Sequence, residues 1–325
     1  MYIRRMPSSS KTKPRVAVIG YGSQGRALAL NLRDSGFPVV VGLRTRSRSR
    51  GKARREGIAE VTGIVAACES AEVTVLAVPD HRHREVFARH LRPVLKKHTA
   101  LLFLHGLSVH FGLVQPPADC DVLLLAPHAP GVALRQKFEA GDRSISAFYA
   151  VHQNPSRHAS ALLFRIARGA GFKRKHLVKT TFENEAVGDL FGEQAVLCGG
   201  LAALIKSGFD TLVTNGLPAE HAYLEVAYQL DLIVELIKQH GIKGMFERIS
   251  VAAQYGSLLT GPEVIGKQTR GRMQRAYDRV ASGRFARKLD QLPERQLREL
   301  PRALEALTDA RLEKAARKHS PRRKR

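Results

Sequence analysis

The sequence has no tryptophan and only three cysteines, Cys68, Cys120 and Cys198, in 325 residues. Their spacings match neither a disulfide framework nor the paired ligands of a structural zinc site. This excludes a disulfide-stapled secreted scaffold and favours a reducing, cytoplasmic setting. No apolar run reaches the roughly 18 residues of a bilayer span, so no membrane segment is expected. Acids are scarce too: 29 Asp and Glu stand against 53 Lys and Arg, for a formal net charge of +24. Spread over a domain, such an excess would suit a nucleic-acid surface. Here residues 1–15, 44–55 and 311–325 together hold +19 of it, and the rest of the chain is close to balanced. Specific nucleic-acid binding is therefore not expected. Ends such as "KHSPRRKR" read as solvated, disordered tails, with weak attraction to polyanions as the functional alternative.

What the chain does contain is ordinary globular material, 44% hydrophobic and 25% charged, enough for two domains with real cores. After a basic disordered N-terminus over 1–14, short β-branched runs alternate with helical segments: "RVAVIG", "FPVVVG", "VTVLAV", "ALLFLHG" and "VLLLAP", then "ISAFYAVHQ". Runs apolar on both faces and separated by helices predict a doubly wound parallel α/β sheet over 15–180. Beyond Thr180 the strand signals stop. Helices are expected at about 184–206, 219–240, 243–256 and 266–281, punctuated by Gly208, Gly216, Pro218, Gly241 and Pro262. This gives an all-α domain over 181–290 and a basic tail over 291–325.

"VAVIGYGSQG" puts Gly20, Gly22 and Gly25 in GxGxxG spacing between the first strand and a helix. Glycines allow a tight turn and close backbone approach, while the helix N-terminus offers free N–H groups to a pyrophosphate. The second strand runs into "GLRTRSRSRGKARR" without an acid. Guanidinium groups and serine hydroxyls suit a 2′-phosphate, which predicts NADPH rather than NADH; an exposed basic loop without a ligand is the alternative.

Residues 180–205 contain four acids and no Lys or Arg, with Asp189 and Glu193 one turn apart on a helix. The segment "AYLEVAYQLDLIVELI" repeats the situation with Glu225, Asp231 and Glu235. Oxygen ligands on two such helices fit a hard divalent cation, magnesium before calcium, and an exposed acidic face is the competing explanation.

"GYGSQG", "HGLSVHFG", "APHAPG", "DLFGEQAVLCGG", "AYLEV" and "YGSLLTGPEVI" occur in an order that resembles ketol-acid reductoisomerase, in its short bacterial form, from about residue 14 to 285. The resemblance implies a Rossmann domain, a knotted helical C-terminal domain that dimerises or assembles further, and an active site shared between subunits. It implies NADPH, two magnesium ions, and conversion of 2-acetolactate or 2-aceto-2-hydroxybutyrate to a dihydroxy acid by alkyl migration followed by hydride transfer.

Carried over by position, Asp189 would bridge both metals, Glu193 would hold the first, and Glu225 from a partner subunit would hold the second. His105 would be the active-site histidine, where the bland alternative is a strand-end histidine bonded to backbone, and Ser250 would bind the substrate carboxylate. Gly20, Tyr21, Gly22, Ser23, Gln24, Gly25, Arg44, Ser47, Ser49, Asp80 and Gly131 form the implied cofactor set.

Two positions depart from the family pattern. A lysine near the metals is here His128, and the fourth carboxylate ligand, one turn after Glu225, is Gln229. A glutamine offers one uncharged oxygen, so the second metal is expected to bind less tightly. Migration relies on paired Lewis acids and should suffer more than reduction of a 2-keto acid. The two changes remove one charge of each sign, as in a coordinated remodelling.

Overall fold

The structure is a computed structural model in which residues 12–305 and 307–319 are described. Most of the expected N-terminal tail lies outside the described residues. Its last part is not loose: Arg165 donates to the Thr12 carbonyl at 2.6 Å and Pro14 is buried.

Eight strands form one sheet: β1 (Val16–Ile19), β2 (Val39–Gly42), β3 (Glu60–Thr62), β4 (Val73–Leu76), β5 (Ala100–Phe103), β6 (Asp121–Pro127), β7 (Ala147–Gln153) and β8 (Leu177–Lys179). Their order is β3-β2-β1-β4-β5-β6-β7-β8. The pairings are parallel except β6 with β7, so the wholly parallel sheet expected from sequence ends in two reversed strands, β7 and β8. Strands β3 and β8, three residues each, are too short to leave a periodic signal. Every residue of β1, β4 and β5 is buried, because helices cover both faces. Separate apolar clusters fill the two sides, around Leu28, Leu32 and Leu163 on one and Leu76, Phe87 and Phe103 on the other. The chain steps outward from β1 to β3 and then returns to β4 on the other flank of β1. This reversal opens a crevice at the C-terminal ends of β1 and β4.

The chain divides into two units. The first runs to Gly188 and takes in Phe285–Gln291; the second comprises Asp189–Arg284 and continues from Leu292. The second unit is helical, including Gly199–Thr214, Ala219–Tyr223, Leu230–Phe246, Val251–Val264 and Lys267–Ala281. Gly241 interrupts its helix at φ +72°, whereas Gly208 does not. A Cβ on Gly208 would stand 3.3 Å from Val226, so this glycine allows close helix packing rather than a break. Pro262 likewise falls inside a helix, in its last turn, where it ends nothing.

One expectation is corrected. Residues 294–305 and 310–319, read from sequence as a basic tail, form helices, because their sparse Leu and Ala positions recur at helical spacing. The helical run Phe182–Thr214, 33 residues with a mean hydropathy of 1.5 in its most apolar window, is long and apolar enough to cross a membrane by length and composition. Four of its five acids fall within its first twelve residues, and Gln194–Ile205 carries no charge. Only 6% of that window is buried.

Candidate active site: a dinucleotide cleft and two carboxylate turns

The crevice is a cleft of about 440 Å³ lined by Gly20, Tyr21, Gly22, Ser23, Gln24, Arg44, Ser47 and Ser49, eight of the eleven residues expected at the cofactor. Gly20 has φ +107°, and a Cβ there would lie 2.6 Å from the Ala77 carbonyl oxygen, so only glycine lets β1 turn against β4. At Gly22 a Cβ would meet nothing within 4 Å, so its backbone is free to be approached. The helix Ser23–Asp34 that follows has no side-chain cap and no acid in its first turn, leaving its N–H groups for an anion. Gln24 donates Nε2 to the Ala129 carbonyl at 2.8 Å, while its buried Oε1 has no partner. Turn, helix end and orphaned acceptor together fit a dinucleotide.

The other three expected residues have packing roles beside the cleft. A Cβ on Gly25 would stand 2.9 Å from Ala77 Cβ, and one on Gly131 only 2.2 Å from the Ser23 carbonyl. Asp80 lies 3.7 Å from the buried His83. Tyr21 is tied down as well, its hydroxyl donating to Glu56 at 2.9 Å; burial, then this bond, pushes its pKa up. In the arginine block, Arg44, Arg46 and Arg48 are exposed. Arg50 instead donates to the carbonyls of Leu43, Thr62 and Val61 and ties β2 to β3. Arg82 joins the lining, paired with Glu85 at 2.9 Å, and sequence reading did not single it out.

His105 follows β5. Its Nδ1 lies 3.0 and 3.1 Å from the two carboxylate oxygens of Glu185, and the Gly106 N–H donates to the same carboxylate. The strand-end histidine is thus held by an acid. Glu185 is 3% exposed. A Cβ on Gly106 would sit 2.4 Å from the Phe182 carbonyl, so glycine is what allows this approach. Glu185 was missed in the sequence, although it stands one turn before Asp189 in the base-free segment. His128 bonds through Nδ1 to Ser146 Oγ at 2.9 Å and meets Phe148 edge-on at 4.3 Å. Burial lowers its pKa, and the Glu185 charge pulls the other way.

Asp189 lies on the helix Phe182–Gly192, and Glu193 opens the π-turn Glu193–Leu197 that continues it. A π-turn widens the helix by one residue and recurs at functional sites. It also accounts for the paired glycines of "VLCGG": a Cβ on Gly199 or Gly200 would fall 2.2 or 2.1 Å from the carbonyls of Gln194 and Ala195. Glu225 sits on a second π-turn, Leu224–Tyr228. Gln229 follows it and donates Nε2 to Glu225 Oε2 at 3.3 Å and to the Leu224 carbonyl at 3.2 Å. Asp189, Glu193 and Glu225 are exposed. Their oxygens are hard donors that fit magnesium. Among the described residues the three do not gather within ligand reach of one another. Ser250 caps the helix Val251–Val264, its Oγ accepting from the Ala253 N–H at 3.2 Å.

The chain matches the family models described as acetohydroxy acid isomeroreductase, NADPH-binding domain, over residues 11–176, and ketol-acid reductoisomerase, C-terminal domain, over residues 182–322. It is 44% identical over 279 residues to ketol-acid reductoisomerase (NADP(+)) of Xylella fastidiosa, covering 86% of this chain and 79% of the relative. Identity is also 44% over 279 residues to the protein of that name from Xanthomonas euvesicatoria, covering 86% and 83%. A solved structure, described as an NADH-preferring ketol-acid reductoisomerase from an uncultured archean, superposes with a TM-score of 0.87 at 36% identity, covering 94% of this chain and 93% of that one.

Proposed function

The chain belongs to the ketol-acid reductoisomerase family, and from that premise we propose that it converts 2-acetolactate or 2-aceto-2-hydroxybutyrate to the 2,3-dihydroxy acid, using NADPH and two magnesium ions in the cytoplasm. The observation that carries this reading is a dinucleotide cleft and base-free carboxylate turns in one chain. Arg44, Ser47 and Ser49 would hold the 2′-phosphate, and the turn Gly20–Gly25 the pyrophosphate. Asp189 and Glu193 would hold one magnesium ion, with Asp189 shared by the second. Glu225 would come from a second copy. Magnesium would supply Lewis acidity to the ketone and the neighbouring hydroxyl.

The Glu185 carboxylate holds the His105 ring through Nδ1 and so fixes its orientation. Ser250 stands at a helix N-terminus, where free N–H groups and a hydroxyl suit the substrate carboxylate. His128, whose pKa is lowered by partial desolvation, is not the fixed positive charge that lysine supplies in the family pattern.

A second reading has one observation in its favour. The Gln229 amide occupies a Glu225 oxygen, which suits an enzyme that reduces an already rearranged 2-keto acid without migration.

NADPH oxidation with 2-acetolactate, with and without magnesium, tests the proposal. Asp189→Asn should lower kcat by two to three orders of magnitude, on the order of 3–4 kcal/mol of transition-state stabilisation. Turnover that is independent of magnesium and of Asp189 would overturn it.

A further inference from the structure

The last described helix, Ala310–His319, is built into the second unit beside a carboxylate turn. Its start is fixed by Asp309, which accepts from the Arg311 N–H at 2.8 Å, and the Arg311 guanidinium lies 5.8 Å from the centre of the fully buried Phe209 ring. Ala315 is buried on the same helix, and Ala222, on the helix Ala219–Tyr223, is 0% exposed. At its end, Lys318 Nζ and His319 Nε2 each lie 2.7 Å from a carboxylate oxygen of Glu220. The His319 ring stacks on Tyr223 at 6.2 Å and 25°, and meets Tyr228 at 6.1 Å.

Those two tyrosines bracket the π-turn Leu224–Tyr228, in which Glu225 is the second residue. A π-turn is unfavourable unless its surroundings enforce it. One side is enforced by Val226 against Gly208, and the two ends by the single ring of His319. Glu225 itself is exposed, so little packing acts on it directly.

We propose that the helix Ala310–His319 is a strut for the Glu225 turn, with Glu220, Lys318 and His319 as positioning residues that hold Glu225 ready for a metal ion. The proposal rests on reading Glu225 as a ligand. Groups that orient a metal ligand commonly govern metal affinity by 10–100-fold without touching the ion.

The experiment uses the full chain, with Mn²⁺ as a spectroscopic probe. His319→Ala and Glu220→Ala are expected to weaken Mn²⁺ binding roughly tenfold or more by electron paramagnetic resonance. Amide hydrogen exchange at residues 223–229 of the metal-free protein should become faster. NADPH affinity should not change, which separates a strut from general destabilisation. A chain ending after residue 309 should reproduce both effects. Unchanged Mn²⁺ affinity and unchanged exchange in both point variants would overturn the proposal. Glu225→Gln is the control: if it binds Mn²⁺ as tightly as the parent, the ligand reading fails, while exchange at the turn still decides whether the strut exists.

Discussion

Ser47 and Ser49, expected at the cofactor, line the cleft. An acid-free loop after the second strand is a statement about charge, and charge survives without knowledge of packing. Asp at either position would set a carboxylate against the 2′-phosphate, so Ser47→Asp should raise KM for NADPH by about ten- to a hundredfold and leave that for NADH nearly unchanged. Steady-state kinetics with both cofactors checks this. Glu185 shows the opposite case. Its pairing with His105 joins residues 80 positions apart, and nothing local to either announces it. His83 lies in a segment rich in charge, yet it is 2% exposed and bonded to Ser108 Oγ and the Val78 carbonyl. Burial lowers the pKa of His83 below 6.5. The unfolded chain then binds protons that the native state refuses, so stability is lost as pH falls through about 6.5. The thermal midpoint should drop between about pH 7.5 and 5.5, and His83→Gln should flatten that slope.

At the level of elements, β1, β4 and β5 were legible because they are buried on both faces and therefore uniformly apolar. The π-turns were not. Each inserts one residue into a helical repeat, an irregularity that periodicity averages away, and the pair Gly199–Gly200 is its only trace in the first of them. The helix Ala310–His319 was hidden by its charge: its apolar face consists of little more than Leu312, Ala315 and Ala316. The two departures, His128 and Gln229, lie on different elements and can be tested as a pair. Gln229→Glu should tighten magnesium binding by about tenfold, one charged oxygen being worth on the order of 1.4 kcal/mol. His128→Lys alone should weaken it, because a cation is added without its counter-charge. The double variant should fall between them, with a non-additive term in a thermodynamic cycle. Calorimetry of magnesium binding reads all three.

On the scale of the whole molecule, the second unit exposes Leu197, Leu232, Val251, Tyr255 and Leu258, each more than 60% accessible. Apolar exposure of that extent marks an association surface. A second copy of this chain is the occupant we expect, since the reading of Glu225 needs one. The mass in solution should therefore be at least twice that of one chain, and Leu258→Lys should shift it toward the monomer and remove activity with it. Such an assembly would perform both migration and reduction. NADPH oxidation in the presence of magnesium, measured in parallel on 2-acetolactate and on 3-hydroxy-3-methyl-2-oxobutanoate, tests it most directly. Both should be turned over, 2-acetolactate the more slowly; turnover of the second substrate alone would show that migration has been lost.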